Sequence, residues 1–516
     1  MAKRNNGKRS HSRVAQNTES KKKRAPRGKD SRSYRKDDFD DNTRGHYSND
    51  PAWYAMSPQM LIDAASINYS NALGSTDWPH FGEQYEYDTK EAFPGIMAIK
   101  TVALPGVSKD NSSPVNVAAR NIYSFVRHKN SGHSNYDSPD LMMYILAMDS
   151  LYSMWAWLVR AYGVMHSYAV YNKYYAEAIF SSMGLDWNDF QYRAADFRTF
   201  INMFAHKLSK VCCPTSLSFI TRHVWMYSHL WVDSPSKKAQ TYLYVPEAFW
   251  VFDETNSITQ RGALVYHELS AGMAFDEVVD MCNTALARII ESEDMMIMSG
   301  DILKAFGEDH IMALGTIPED FMVVPACDPA VCSQIQNCFL VGQVNQFVIT
   351  QNDDNAIICE PILNGSHFVP GYLHLNLRVD SPTPADTMVA TRLMPYVVKG
   401  EERNQILSCG SDIATAAWIY RYVQRGGKWT LIQDSCYSML DVDAEDPDSA
   451  VRTLIDMEKF DWHPTQYVVS TNGLELGISG DVDNYTTISK RTLEDMHNLA
   501  LISQFGCPSM GPFAIK

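Results

Sequence analysis

An almost continuous apolar stretch at residues 138–162 predicts one long buried helix around which the rest of the chain is organised. Ser138 can cap this helix, the proline that follows suits its first turn, and the carboxylate of Asp140 complements the helix dipole. Gly163 predicts the helix stop. At 1.5 Å per residue the helix is roughly 37 Å long, enough to cross either a bilayer or a large domain.

Three polar side chains decide between those two environments. Asp149, Ser153 and Arg160 form one narrow polar stripe on a helix that is otherwise apolar nearly all round. Charged side chains are costly in a bilayer, whereas a helix apolar on most faces is typical of the centre of a large protein. We therefore expect a core helix and no integral membrane association.

Periodic apolar positions predict further helices before and after this one. They cover residues 57–73, 113–128, 174–183, 193–210, 217–231, 275–293, 299–306 and 491–504. Residues 95–104, 242–246 and 249–252 have the composition of strands, and residues 337–478 consist mostly of short alternating or β-branched runs between Gly, Pro and Asp turns. The pattern predicts a mainly α-helical α+β protein with a separate β-rich region.

Charge divides the chain unevenly and adds an N-terminal arm to this picture. Residues 1–36 hold fourteen Lys and Arg against two acids, a net charge of +12, while the remaining residues hold 31 bases and 58 acids, a net charge of −27. Residues 1–48 lack the large apolar side chains that a fold requires, so we expect a disordered basic arm. Such an arm is suited to bind nucleic-acid phosphates without sequence preference.

The candidate RNA-binding side chains are the fourteen bases of residues 1–36. They are Lys3, Arg4, Lys8, Arg9, Arg13, Lys21, Lys22, Lys23, Arg24, Arg27, Lys29, Arg32, Arg35 and Lys36. A nuclear import tag at residues 21–24 and a solubility tail are the competing interpretations. Tyr34 is the one aromatic residue within the basic run, too few for a base-stacking platform.

No catalytic or metal-binding pattern is found. His267 begins a sequence similar to a zinc-protease helix, but the second histidine is missing. Cys327, Cys332 and Cys338 have the wrong spacing for zinc even with Cys359 added, and are interpreted as core thiols. His223 and His229 are interpreted as hydrogen-bonded structural histidines, and phosphate-loop, dinucleotide and nucleophile-elbow motifs are absent. We expect a non-enzyme without cofactors.

Four long stretches resemble one known family, the capsid proteins of picobirnaviruses, which are non-enveloped viruses with a segmented double-stranded RNA genome. The stretches are DPAWY at residues 50–54, SPDLMMYILAMDSLYSMWAWLVRAYGVMHSY at 138–168, ADFRTFINMFAHKL at 195–208 and RHVWMYSHLWVDSPSKKAQTYLYVP at 222–246. They cover about the first half of the folded region. A partitivirus-type coat protein, which has a similar helical shell and dimeric building block, is a closely related alternative.

The resemblance implies a helical shell domain, a smaller projecting domain, and an icosahedral particle of symmetric homodimers whose arms point inward to viral RNA. Together with the strand pattern, this predicts residues 1–48 as the arm, 49–336 plus 479–516 as the shell domain, and 337–478 as a candidate β-rich projecting domain. A projection built from several inserted segments is the alternative. It implies location in the virion after assembly in the host cytoplasm, and it carries over no catalytic residue.

Two other classes of function stay open from the sequence. A packaging or architectural protein would bind nucleic acid through the same arm but would remain a small oligomer. An enzyme could assemble its site from residues distant in sequence, in which case a cleft with converging carboxylates or histidines would be present.

Overall fold

The computed structural model describes residues 57–66, 89–91 and most of 95–506. The gaps in the last span are 131, 133–134, 168–173, 236–238, 256–261, 346–347, 365–367, 380, 426, 437–438, 442–446, 471–473 and 480–484. The chain divides into two units, Met1–Asn68 and Tyr69–Lys516. The described element of the first unit is helix α1, Pro58–Ser66.

The second unit contains twelve described α-helices. In chain order they are α2 Pro114–Lys129, α3 Ser138–Met165, α4 Tyr175–Ser182, α5 Trp187–Tyr192, α6 Ala194–Leu208, α7 Ser218–Ser228, α8 Phe275–Ile290, α9 Glu293–Phe306, α10 Pro329–Gln336, α11 Pro384–Ala390, α12 Pro447–Glu458 and α13 Lys490–Gln504. The predicted helical bulk of the fold is therefore confirmed.

Strands accompany these helices along the second unit. In order they are β1 Thr89–Glu91, β2 Ile96–Ala103, β3 Trp231–Val232, β4 Thr241–Pro246, β5 Ala248–Asp253, β6 Ala263–Glu268, β7 Ala326–Cys327, β8 Val348–Gln351, β9 Ile357–Ile358, β10 Leu373–Asn376, β11 Tyr396–Val398, β12 Gln405–Ser408, β13 Asp412–Arg425, β14 Lys428–Cys436, β15 Met439–Asp441, β16 Gln466–Val469, β17 Glu475–Ser479 and β18 Tyr485–Ile488. The mixed α+β class is confirmed.

The largest sheet joins strands from distant parts of the sequence. Its order is β1-β13-β2-β4-β3-β7, and β14 pairs with β13 as well. Strands β2 and β4 run parallel and are buried almost throughout, while β13 lies antiparallel to β2 with Met97 opposite Ile419. Because both faces of β2 and β4 are covered, their sequences are nearly uninterrupted apolar runs.

Helix α3 lies in the centre of the core, and 94% of its most apolar window is buried inside the folded chain. Length and composition alone would let it span a membrane, so its burial explains the apolar sequence. The helix cap is Asp137 rather than the predicted Ser138, since the backbone N–H of Asp137 donates to Asp140 Oδ2 (2.8 Å) in a capping box.

Several predicted boundaries are wrong by a few residues. Helix α3 continues past Gly163 to Met165, because this glycine is needed for close packing and not for a left-handed cap. Helix α7 ends at Ser228, where the extended backbone of His229 leads into β3. Helix α9 begins at Glu293, six residues before the prediction, directly after the extended Ser292.

Strands from residues 337–478 pair with strands from the first half of the chain. Strand β13 pairs with β2 in the largest sheet, and β8 joins β6 in the four-stranded sheet β5-β6-β8-β9. Strands β15, β16 and β17 form a sheet of their own. The assignment of residues 337–478 to a projecting domain stays a prediction.

Candidate functional site

The fourteen predicted RNA-binding side chains all lie outside the described residues. Their role therefore stays a prediction. Within the described part of the chain, two groups of polar side chains stand out, one buried in the core and one exposed along a helix.

The buried group joins helix α3, helix α7 and the start of strand β13. His223 lies at its centre, with Nδ1 2.8 Å from Asp149 Oδ1 and Nε2 3.5 Å from Asp412 Oδ1. Arg222 Nε donates to both oxygens of Asp412, at 2.8 and 3.0 Å. The Nε2 group of His223 also reaches the Ser411 carbonyl oxygen at 3.2 Å. We call these four ionisable residues the core charge network.

Charge pairing offsets the cost of burying this network. Burial disfavours the imidazolium form of His223, but the carboxylates of Asp149 and Asp412 outweigh burial and raise the pKa of His223 to about 9. Burial would raise the pKa of Asp412, yet Arg222 and His223 hold that pKa below its ordinary value. Burial raises the pKa of Asp149, and its contact with His223 opposes that shift, so the pairing offsets burial less fully at Asp149 than at Asp412.

The network has no route to a substrate. His223 is 0% exposed, Asp412 1% and Asp149 2%. A histidine between two carboxylates could transfer protons in an accessible cleft, but in this sealed position it can only hold α3, α7 and β13 together. The prediction that His223 is a hydrogen-bonded structural histidine is confirmed.

Arg160 makes a second polar link between α3 and α7. Its guanidinium is completely buried, and Nη1 donates to the carbonyl oxygens of Met226 (3.3 Å) and His229 (3.2 Å). These carbonyls lie at the C-terminal end of α7, where a cation is favoured by the helix dipole. Burial lowers the pKa of Arg160 to about 9. The predicted polar stripe of α3 thus contacts α7 rather than solvent.

The cysteine predictions are mostly confirmed. Cys332, Cys338 and Cys359 are buried thiols, but Cys327 is exposed because it lies on the short edge strand β7. Among the described residues no three His, Cys, Asp or Glu side chains converge as metal ligands would. The sequence that begins at His267 ends strand β6 and does not form a helix.

The exposed group forms an open groove of about 540 Å³ along helix α6. The apolar side of α6 is buried, including Phe197, Ile201 and Phe204, so its opposite side faces solvent. The groove is lined by Arg198, Thr199, Asn202, Met203, His206, Lys207 and Lys210. We call this surface the α6 basic groove, and its amphipathic helix was predicted although its cations were not singled out.

Sequence reasoning missed most of the core charge network as well. Asp149 attracted notice only because it interrupts an apolar helix, and Arg222 only as part of a longer stretch. Asp412 gave no signal, since its partners are some 190 positions away in the sequence. Charged residues inside apolar helices were the available hint that buried partners exist.

A known protein family and a known relative have sequences similar to that of this chain. The family model described as picobirnavirus capsid protein matches residues 53–365, more than half of the chain. The chain is similar to the capsid protein precursor of Human picobirnavirus (strain Human/Thailand/Hy005102/-), with 28% identity over 533 residues that cover 90% of this chain and 92% of the relative.

A solved structure has the same fold. The X-ray crystallographic structure of the picobirnavirus capsid superposes with a TM-score of 0.78 and 21% sequence identity, covering 90% of this chain and 100% of that chain. The sequence resemblance, which rested on the first half of the folded region, therefore extends over most of the structure. The chain belongs to the picobirnavirus capsid protein family.

Proposed function

We propose that this capsid protein assembles as symmetric homodimers into an icosahedral shell around double-stranded RNA, and that its basic arm binds that RNA without sequence preference. The observation that carries the proposal is the opposition of charge within one capsid chain. Residues 1–36 of the arm carry a net charge of +12, and the rest of the chain carries −27, which by itself would repel a polyanion. The arm supplies the counter-charge that the inner wall of such a shell lacks.

The proposal places the chain in the virion, with assembly in the host cytoplasm. It gives the chain a structural role with no reaction to catalyse, which accords with membership of a capsid family. The partners are other copies of the same chain and the viral RNA.

Arm binding should depend steeply on salt, because each neutralised phosphate releases counterions. With up to fourteen basic side chains per arm, the slope of log affinity against log salt approaches roughly −10. No base-reading contact is needed for this interaction, so the affinity should be similar for duplexes of different sequence.

The test replaces the bases at residues 21–24 and 32–36 by Ser and Gln in the full-length chain. We expect this arm-neutralised variant to form shells of the same diameter as the unmodified chain, seen by sedimentation and electron microscopy, with less RNA per shell. An unchanged RNA content would refute the role of the arm. A small soluble oligomer from the unmodified chain at every salt concentration would refute the shell and favour a packaging protein.

A further inference from the structure

We infer that the α6 basic groove is a second binding site for the phosphate backbone of double-stranded RNA, located on the folded body and separate from the arm. The inference rests on the proposed function, since it assumes that RNA is the polyanion inside the shell. It concerns chiefly the end of the groove that holds Lys207 and Lys210.

The first argument is unpaired positive charge. Arg198, Lys207 and Lys210 form no ion pair with any described residue, although acids outnumber bases by 58 to 31 beyond the arm. The nearest polar partner of Lys207 is neutral, the side-chain oxygen of Asn283 at 3.4 Å. The lining of the groove holds no carboxylate, so Lys207 and Lys210, which lie away from the acids near Arg198, are available for an external anion.

The second argument is shape. Arg198 and Lys207 are nine residues apart on α6, which separates them by about 14 Å along the helix and by about half a turn around it, so they lie at opposite edges of the groove. Cations spread across a groove in this way suit an extended chain of phosphates better than one small anion. The groove lining holds one aromatic side chain, His206, and no Phe, Tyr or Trp, so it lacks the successive stacking platforms that a single strand requires, which favours a duplex backbone.

Of the two ends of the groove, the end with Lys207 and Lys210 is a better phosphate site than the end with Arg198. Burial raises the pKa of the Tyr162 hydroxyl, and Glu319 and Asp320 act on the same hydroxyl with Arg198 opposing them. Acidic side chains therefore lie close to the Arg198 end of the groove. Met203, 54% exposed, separates this end from Lys207 and provides an apolar floor rather than a competing charge.

A purely structural role is the alternative for these lysines. Lys207 lies in the last turn of α6, where a cation complements the helix dipole. That account also fits Lys129 and Lys304, which are exposed in the last turns of α2 and α9. It does not explain Arg198 near the beginning of α6, nor the shared groove. Lys129 and Lys304 thus provide a matched control.

The test uses the full-length arm-neutralised chain as the parent. One derivative carries Lys207→Gln and Lys210→Gln, and the control derivative carries Lys129→Gln and Lys304→Gln. The dissociation constant for a short RNA duplex is measured between 50 and 200 mM salt. Loss of two phosphate contacts should make the salt slope about 2 units shallower, equivalent to about a tenfold smaller loss of affinity over that range.

We expect that change in the groove derivative and no change in the control, with equal melting temperatures for both. Equal slopes in the two derivatives would overturn the inference. Binding of a polyglutamate peptide that is lost only in the groove derivative, with RNA binding unchanged, would also overturn it and identify a protein-docking surface. Comparison of the parent with the unmodified chain tests the arm separately, so either proposal can fail alone.

Discussion

Gly163 on helix α3 lies where the packing leaves no room for a side chain. A Cβ atom at this position would lie 2.5 Å from Val323 Cγ2 and 2.9 Å from the backbone nitrogen of Val323. The backbone of Val323 is itself fixed by a hydrogen bond from its N–H to the Gly163 carbonyl oxygen (3.3 Å). The loop that contains Val323 can therefore approach α3 this closely only because residue 163 is a glycine.

Gly163→Ala should consequently lower the free energy of unfolding by about 1–3 kcal/mol, because the methyl group forces the loop away. Gly300→Ala is the matched control, since a Cβ at Gly300 meets nothing within 4 Å in the middle of α9. There alanine should raise the free energy of unfolding by about 0.5–1 kcal/mol. Chemical denaturation measures both, and equal effects would contradict the packing argument.

Among the helices and strands, the sequence predicted features that are contained in one segment. It did not predict contacts between segments that are far apart in the chain. Apolar continuity identified α3, and apolar spacing identified α6, because both patterns are contained in one segment. The pairing of β13 with β2 and the contact of Arg222 with Asp412 depend on segments far apart in the chain. Periodicity carries no information about such partners, so neither the sheet order nor the core charge network could be predicted.

The core charge network connects α7 to α3 and β13. Its contribution to the stability of the fold depends on pH through His223. The pKa of His223 is about 9 in the folded chain, above the ordinary value of 6.5. Below pH 6.5 both folded and unfolded chains hold the proton and the stabilisation is complete. Between about pH 6.5 and 9 only the folded chain holds it, so stability declines as the pH rises and this contribution is lost above 9.

His223→Gln should therefore remove part of this decline. We expect the unmodified chain to lose a few kcal/mol of unfolding free energy between pH 6.5 and 9 relative to its own value at pH 6. The variant, less stable at pH 6, should lose less over the same interval. Denaturation at a series of pH values gives both curves, and parallel curves would mean that His223 is neutral in the core.

For the whole molecule, salt acts on the arm and on the body in opposite directions. If the arm binds RNA as proposed, screening weakens that attraction, but it also weakens the repulsion between bodies of net charge −27. At 0.15 M salt the screening length is about 8 Å, so exposed charges of adjacent subunits still interact at short range. RNA uptake and shell closure should thus have different salt optima.

The arm-neutralised variant separates these two effects. We expect it to form shells, with their reduced RNA content, more completely at about 0.5 M than at about 0.05 M salt, since repulsion between subunits is screened. RNA uptake by the unmodified chain should fall over the same interval. Light scattering reports assembly and absorbance reports RNA. Shell formation by the variant that decreases with salt would show that attraction between charges, and not apolar contact, holds the subunits together.

The pairing of β2 with β13 also sets an order of events during synthesis. Met97 leaves the ribosome long before Ile419, its partner across the sheet, so the largest sheet cannot close until most of the chain has been made. The basic arm precedes both strands. On the proposed function, the basic residues are therefore synthesised while the body is still incomplete, and binding to RNA would begin before any subunit is ready to assemble.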